Sequence, residues 1–167
     1  MNQLEIRSEE AGDREAIHAL LLAAFDGDAE AQLVRALHTD GDVVLSFVAE
    51  REGALCGHVL FSRLHVVKDE TRFPAVALAP LAVSPTDQRQ GIGARLVEEA
   101  HQRLITNGET LSVVLGEPVY YGRFGYRHED AAAFESDYQC EALQALRWGY
   151  EAPDTGRLVY APGFGGL

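Results

Sequence analysis

Apolar and polar positions alternate in Leu4-Glu5-Ile6-Arg7, the pattern of a short strand with one wet face. The period then changes. Ile17, Leu20, Leu21 and Ala24 recur at helical spacing behind Gly12-Asp13, which predicts a first helix over 13–25. Asp26-Gly27-Asp28 interrupts it, and Ala29, Leu33, Val34 and Leu37 predict a second helix ending before Asp40-Gly41. Two runs rich in β-branched and aromatic residues, 43–50 and 54–67, flank Arg51-Glu52-Gly53 and read as an antiparallel hairpin. From Ala75 to Val83 nearly every position is apolar, as expected of an inner strand covered on both faces. Pro80 lies within that run. Proline gives no N–H to a ladder, so this strand should part from a neighbour there.

A long amphipathic helix follows, with Ile92, Leu96, Val97, Ala100, Leu104 and Ile105 on its apolar face and Asn107-Gly108 as its stop. Thr110 to Leu115 reads as another strand, and Pro118 opens a short helix through Tyr120 and Tyr121 that Gly122 ends. Gly125-Tyr126-Arg127 begins a sixth strand, and the stretches 139–146 and 156–160 read as further strand joined by a polar turn. No repeat or low-complexity tract divides the pattern, so 1–167 is expected to form one domain.

Composition narrows what such a domain does. With 47% hydrophobic and 24% charged residues the chain is neither a disulfide scaffold nor a fibrous or disordered protein. Its 14 Lys+Arg against 26 Asp+Glu leave a net charge of -12, which argues against nucleic acid and anionic membranes as partners and mildly favours cations. Cys56 and Cys140 have neither redox nor metal-ligand spacing and are expected to be reduced, partly buried thiols, which suits the cytoplasm. The first residues carry neither a basic nor an apolar leader pattern, and the longest apolar stretch is too short to span a bilayer. The six histidines show no paired ligand spacing, so no metal is expected.

One segment carries a sharp chemical meaning. A strand, then Ser84-Pro85-Thr86-Asp87, then Gln88-Arg89-Gln90-Gly91-Ile92-Gly93-Ala94 opening a helix, is an anion cradle. First-turn N–H groups lack internal partners and carry the positive end of the helix dipole, while Gly91 and Gly93 remove the Cβ atoms that would hold a pyrophosphate away. As helical residues they would each cost roughly 1 kcal/mol against alanine, which points to a need for bare backbone. No Lys-Ser or Lys-Thr follows, and Leu96 stands where a third glycine would complete a dinucleotide fingerprint. The remaining ligand has a pyrophosphate for the helix start and an amide-bearing arm for the strand opened at Pro80, where Leu81 and Val83 backbone groups could pair with it. Coenzyme A has both parts.

Leu81-Ala82-Val83-Ser84-Pro85 followed by Gln88-x-x-Gly91-x-Gly93 resembles the acyl-CoA signature of the GCN-related N-acetyltransferases, the GNAT superfamily. Val114-Leu115-Gly116-Glu117-Pro118 and Tyr120-Tyr121-Gly122-Arg123-Phe124-Gly125-Tyr126, with Tyr160 and Phe164 in the tail, resemble its YhbS-like subgroup of predicted N-acetyltransferases. The resemblance implies a mixed α/β (α+β) fold whose mostly antiparallel central sheet carries a bulge and splay, with helices on both faces. It implies acetyl-CoA as co-substrate, held by Leu81, Ala82 and Val83 at the pantetheine arm and by Gln88, Arg89, Gln90, Gly91, Ile92, Gly93 and Ala94 at the pyrophosphate. It also implies Tyr121, four residues before Gly125, as general acid toward the departing thiolate, for which a phenol near its reference pKa of about 10 would serve.

The general base stays open among His58, His65, Glu50 and water; strict alternation puts His58 and His65 on opposite faces. Neither cysteine has an activating partner nearby in sequence, so direct attack by an amine is expected rather than a covalent intermediate. The resemblance implies that Asp26-Gly27-Asp28-Ala29-Glu30 borders the acceptor cleft, where its carboxylates could attract a small-molecule or peptide amine, or merely cap a helix. A non-catalytic acyl-CoA sensor of the same fold is the alternative to an enzyme. The C-terminal strands could offer an edge for a homodimer.

Overall fold

A computed structural model describes residues 3–166. The elements follow the sequence pattern closely: β1 (Leu4–Ser8), α1 (Arg14–Ala24), α2 (Ala29–Asp40), β2 (Val43–Arg51), β3 (Ala54–Lys68), β4 (Thr71–Val83), α3 (Ile92–Thr106), β5 (Leu111–Leu115), α4 (Pro118–Gly122), β6 (Phe134–Glu135), β7 (Leu143–Arg147) and β8 (Gly156–Val159). Among the described residues eight strands form one sheet in the order β1-β2-β3-β4-β5-β7, with β8 pairing β3 and β6. Every pairing along the main path is antiparallel except β4 with β5. β3 is the spine: its first half pairs β2, and past the end of β2 it continues at His65–Val67 alongside β8.

Helices cover both faces. Ile17, Leu20 and Leu21 of α1 and Leu33, Val34 and Leu37 of α2 pack with Val48, Leu60 and Leu64 on one side. Ile92, Leu96, Val97, Ala100 and Leu104 of α3 pack with Phe47, Val59, Phe61 and Val76 on the other. Each such aliphatic side chain contributes roughly 1.5–3 kcal/mol by leaving water. Within β4, Ala75 and Ala77 join the first core and Val76 and Leu78 the second, which is why this run reads as continuously apolar.

Three expectations are corrected. Gly125–Arg127 is not a strand; Gly125 turns the chain at φ +102° and only an isolated bridge joins Arg127 to Ala145, so the sixth strand is Phe134–Glu135. Ile105 is 48% exposed, because Leu104 already fills the core stripe and the next residue is rotated about 100° past it. Cys140 is exposed, since the strand expected from 139 begins only at Leu143; Cys56 is buried as expected.

Candidate active site

Pro80 does what its chemistry demands. β4 and β5 pair in parallel only through Val76–Ser112, Ala77–Val113 and Leu78–Val114, and β4 then continues to Val83 with β3 on one side and no strand on the other. Against β3 the register slips between Val59–Leu81 and Phe61–Leu78, placing the extra residue of a bulge at Ala79-Pro80. The sheet therefore opens into a V beyond Leu78, leaving the β5-facing edge of Leu81, Ala82 and Val83 without a strand partner.

The cradle begins where that open strand ends. Ser84 N–H donates to Cys56 O at 2.8 Å, and the Gln88 side-chain amide donates to Val83 O at 3.3 Å, tying the loop to the strand. Arg51 reaches across to Asp87 at 3.4 Å and to the Gln90 side chain at 3.2 Å. The side chains of Gln88 and Gln90 thus brace the loop. Among the described residues no acceptor meets the N–H groups of Gly91, Ile92, Gly93 and Ala94; Arg95 N–H is the first to close the helix, on Gly91 O at 3.1 Å. Arg89, exposed and at φ +66°, has no ion-pair partner among the described residues. Four unclaimed donors beside a free guanidinium form a binding place for a polyanion.

The two glycines serve different needs. α3 starts at Ile92, so Gly91 is not a helical residue as the pattern suggested; it is the N-cap, held at φ +81° with open space where a Cβ would point. Gly93 is helical and buried, and a Cβ there would lie 2.6 Å from the Tyr120 hydroxyl. Tyr120, and not Tyr121, therefore packs over the cradle. Gly91→Val puts a β-branched residue in the left-handed region at about 1–2 kcal/mol or more, so affinity for acetyl-CoA, the ligand that the sequence resemblance implies, is expected to fall roughly 5- to 30-fold by calorimetry, and an unchanged affinity counts against the cradle.

Tyr121 stands at the mouth of the V. Pro118 starts α4 immediately after β5, and Gly116 lies so close beneath the Tyr121 ring that no Cβ would fit. The ring meets Tyr120 edge-on at 5.1 Å and lies 6.0 Å from Tyr126. Tyr126 is fully buried behind it, its hydroxyl 2.9 Å from His101 Nε2 and 2.7 Å from Ser112 Oγ. Burial, and secondarily Tyr120, pushes the Tyr121 phenol up to about 12, above the value near 10 expected for an exposed phenol.

Tyr121 lines a cavity of about 300 Å³. Its floor is the split sheet, Leu78 to Leu81 and Val113; its roof is Phe25, Glu30 and Leu33 from the α1–α2 side, and its far wall is Tyr138, Tyr160 and Phe164 from the C-terminal third. Of the acidic turn between the helices only Glu30 lines it; Asp26 and Asp28 are exposed. None of the three side chains considered as bases lines it. His58 is completely buried and held neutral, its pKa pushed down to about 3 by burial and by His38. Its Nε2 lies 3.0 Å from Ser46 Oγ, which donates to Glu9 Oε1 at 2.5 Å, while its Nδ1 has no partner. His65 sits by Arg72 at 3.2 Å, and Glu50 is bound by Arg7 at 2.9 Å on the β1–β2 side. The groups that sequence reasoning missed are Glu30 as a cavity residue, distinct from its acidic neighbours, and Tyr138; nothing local marks either.

Among the described residues no group of three metal-ligating side chains converges, and no helix is long and apolar enough to cross a membrane. Comparison with known proteins matches residues 5–128 to the acetyltransferase (GNAT) domain family. The chain is 40% identical over 122 residues to the uncharacterized N-acetyltransferase YhbS of Escherichia coli K12, covering 72% of each protein. It superposes on the crystal structure of that GNAT family protein in complex with CoA with a TM-score of 0.91 at 32% identity, over 99% of this chain and 93% of the other. A GNAT family acetyltransferase from Brucella melitensis in complex with acetyl-CoA superposes with a TM-score of 0.83 at 28% identity, over 98% and 99% of the two chains.

Proposed function

The chain belongs to the GNAT acetyltransferase family, and from that premise we propose that it acts as one catalytic domain that moves the acetyl group of acetyl-CoA to an amine by direct attack. The observation that carries this reading is the bare edge of Leu81–Val83 running straight into the unclaimed N–H groups of Gly91–Ala94, one continuous track for an amide-bearing arm and its pyrophosphate. That CoA or acetyl-CoA occupies two structural neighbours supports the same ligand here. Gly91, Ile92, Gly93 and Ala94 present backbone donors to the pyrophosphate, Arg89 adds the cation, and Gln88 and Gln90 hold the loop in shape. Leu81, Ala82 and Val83 bind the pantetheine arm as a missing strand would.

The reaction needs a neutral amine, a stabilised oxyanion and a departing thiolate. The amine nitrogen bonds to the acetyl carbon, the carbonyl electrons collapse back as the carbon–sulfur bond breaks, and sulfur leaves with the electron pair. The amine arrives as an ammonium and gives one proton to water before it attacks. The surplus proton left on nitrogen after the bond forms also passes to water, since none of His58, His65 and Glu50 lines the cavity. Backbone N–H at the β4 bulge faces the acyl oxygen, and Tyr121 donates a hydrogen bond to the sulfur. Burial pushes the phenol up to about 12 and so keeps Tyr121 protonated, a general acid toward the departing thiolate, which the same burial makes more basic than a thiol in water. The unpaired thiols Cys56 and Cys140 suit a reducing compartment, the cytoplasm.

Following free thiol with acetyl-CoA and a panel of primary amines tests the proposal. Acceptor-dependent thiol release is the expected result. Saturable acetyl-CoA binding with no release by any amine would instead identify an acyl-CoA sensor.

A further inference from the structure

The cavity beside Tyr121 has a composition that selects among amines, and we infer that its acceptor is a compact primary amine with an aromatic or branched apolar body and no anionic group beside the nitrogen, whose ammonium docks on Glu30. This rests on the transferase reading above and deepens it. Glu30 lies in the first turn of α2, lines the cavity, and keeps its Oε1 shut off from water with no hydrogen-bond partner. Buried acceptors in folded proteins almost always have a donor. No lysine, arginine or histidine lines the cavity, and no ion pair involving Glu30 exists among the described residues. Rotation of the carboxylate toward the cavity would let a cation brought by the ligand complete it.

The rest of the lining describes the remainder of that ligand. Tyr138 meets Tyr160 edge-on with ring centres 5.1 Å apart, and Tyr160 meets Phe164 at 5.2 Å, so three aromatic residues form a continuous wall opposite the split strands. Phe25 and Leu33 extend the apolar lining on the Glu30 side. Aromatic faces attract an ammonium and give an apolar body a dry surface. A volume of about 300 Å³ is at the small end for pockets that enclose small molecules, which favours a compact acceptor. With no cationic side chain in the lining, the carboxylate of an α-amino acid would be desolvated beside Glu30 with nothing to pair it. A polyamine would bury additional charges against a single carboxylate.

The test uses the full chain, first confirming acetyl-CoA binding by calorimetry, then measuring steady-state acetylation of 2-phenylethylamine, L-phenylalanine and spermidine. The first two share one body and differ by a carboxylate. For 2-phenylethylamine kcat/KM is expected to exceed that for L-phenylalanine by roughly 100-fold and that for spermidine by about 10-fold or more. Glu30→Gln is expected to raise KM for 2-phenylethylamine by roughly 10- to 150-fold, the loss of a charge-assisted hydrogen bond, with KM for acetyl-CoA within about twofold. The wild-type comparison stands even if the variant folds poorly. Equal use of L-phenylalanine or spermidine, or an unchanged KM in Glu30→Gln, overturns the acceptor assignment while leaving the transferase intact. Absence of acetyl-CoA binding overturns the transferase reading itself.

Discussion

Tyr121→Phe is expected to lower kcat roughly 10- to 150-fold while acetyl-CoA affinity stays within about twofold, because on the proposed mechanism it deletes one hydrogen bond to a charge that develops only as the thiolate departs. The ring keeps its packing over Gly116 and against Tyr120 and Tyr126, so the variant should fold as the parent does. A phenol held near 12 also makes a distinctive pH profile: Tyr121 stays protonated through the working range, so kcat should not decline on its account below about pH 10. Stopped-flow or steady-state thiol release on both proteins checks this, and an unaffected kcat would remove Tyr121 from the chemistry.

Acidification to pH 5 is expected to strip about 4 kcal/mol from the folded state, a large share of the 5–15 kcal/mol typical of a domain. The cause is two histidines buried without charge. Burial holds His58 down to about 3 and His101 down to about 4, whereas in the unfolded chain both titrate near 6.5. Their stabilisation is therefore whole above pH 6.5. Below it the unfolded chain takes up protons that the native state refuses, and each histidine costs about 1.4 kcal/mol per pH unit until its native pKa is approached. Relief of repulsion among the carboxylates of this acidic protein begins only near their own titration, around pH 4, below this window. Urea denaturation at pH 7.5 and pH 5.0 should show the loss, and His101→Gln should show about half of it. A stability that is flat between those pH values would contradict the neutral, buried state of both rings.

What the sequence made legible and what it did not divide along a physical line. The strand interrupted at Pro80, the glycines at 91 and 93, and Tyr121 after the turn are local signals: each residue type restricts its own backbone or the next turn, and the structure brings them to one place. Even there the reason for Gly91 changed, from a helix position to a left-handed cap, because one residue in the start of α3 decides between them. The aromatic wall was not legible, since Tyr138, Tyr160 and Phe164 meet only after β8 has crossed back to pair with β3. Nor was the fate of His58, whose contact with Ser46 and Glu9 follows from the pairing of β2 with β3. Glu30 was visible as one of three acids in a turn, yet only the packing of α2 separates it from Asp26 and Asp28.

The V-shaped gap in the sheet joins two rooms that would otherwise be sealed from each other. On the proposed reading the nucleotide end of the thioester would lie at the start of α3, on one side of the sheet, and the amine would enter the cavity roofed from the α1–α2 side, on the other. Each reactant would thus have its own door. Acetylated product would then have a way out while spent carrier is still in its seat, and the order of arrival and departure would be set by affinity and not by obstruction.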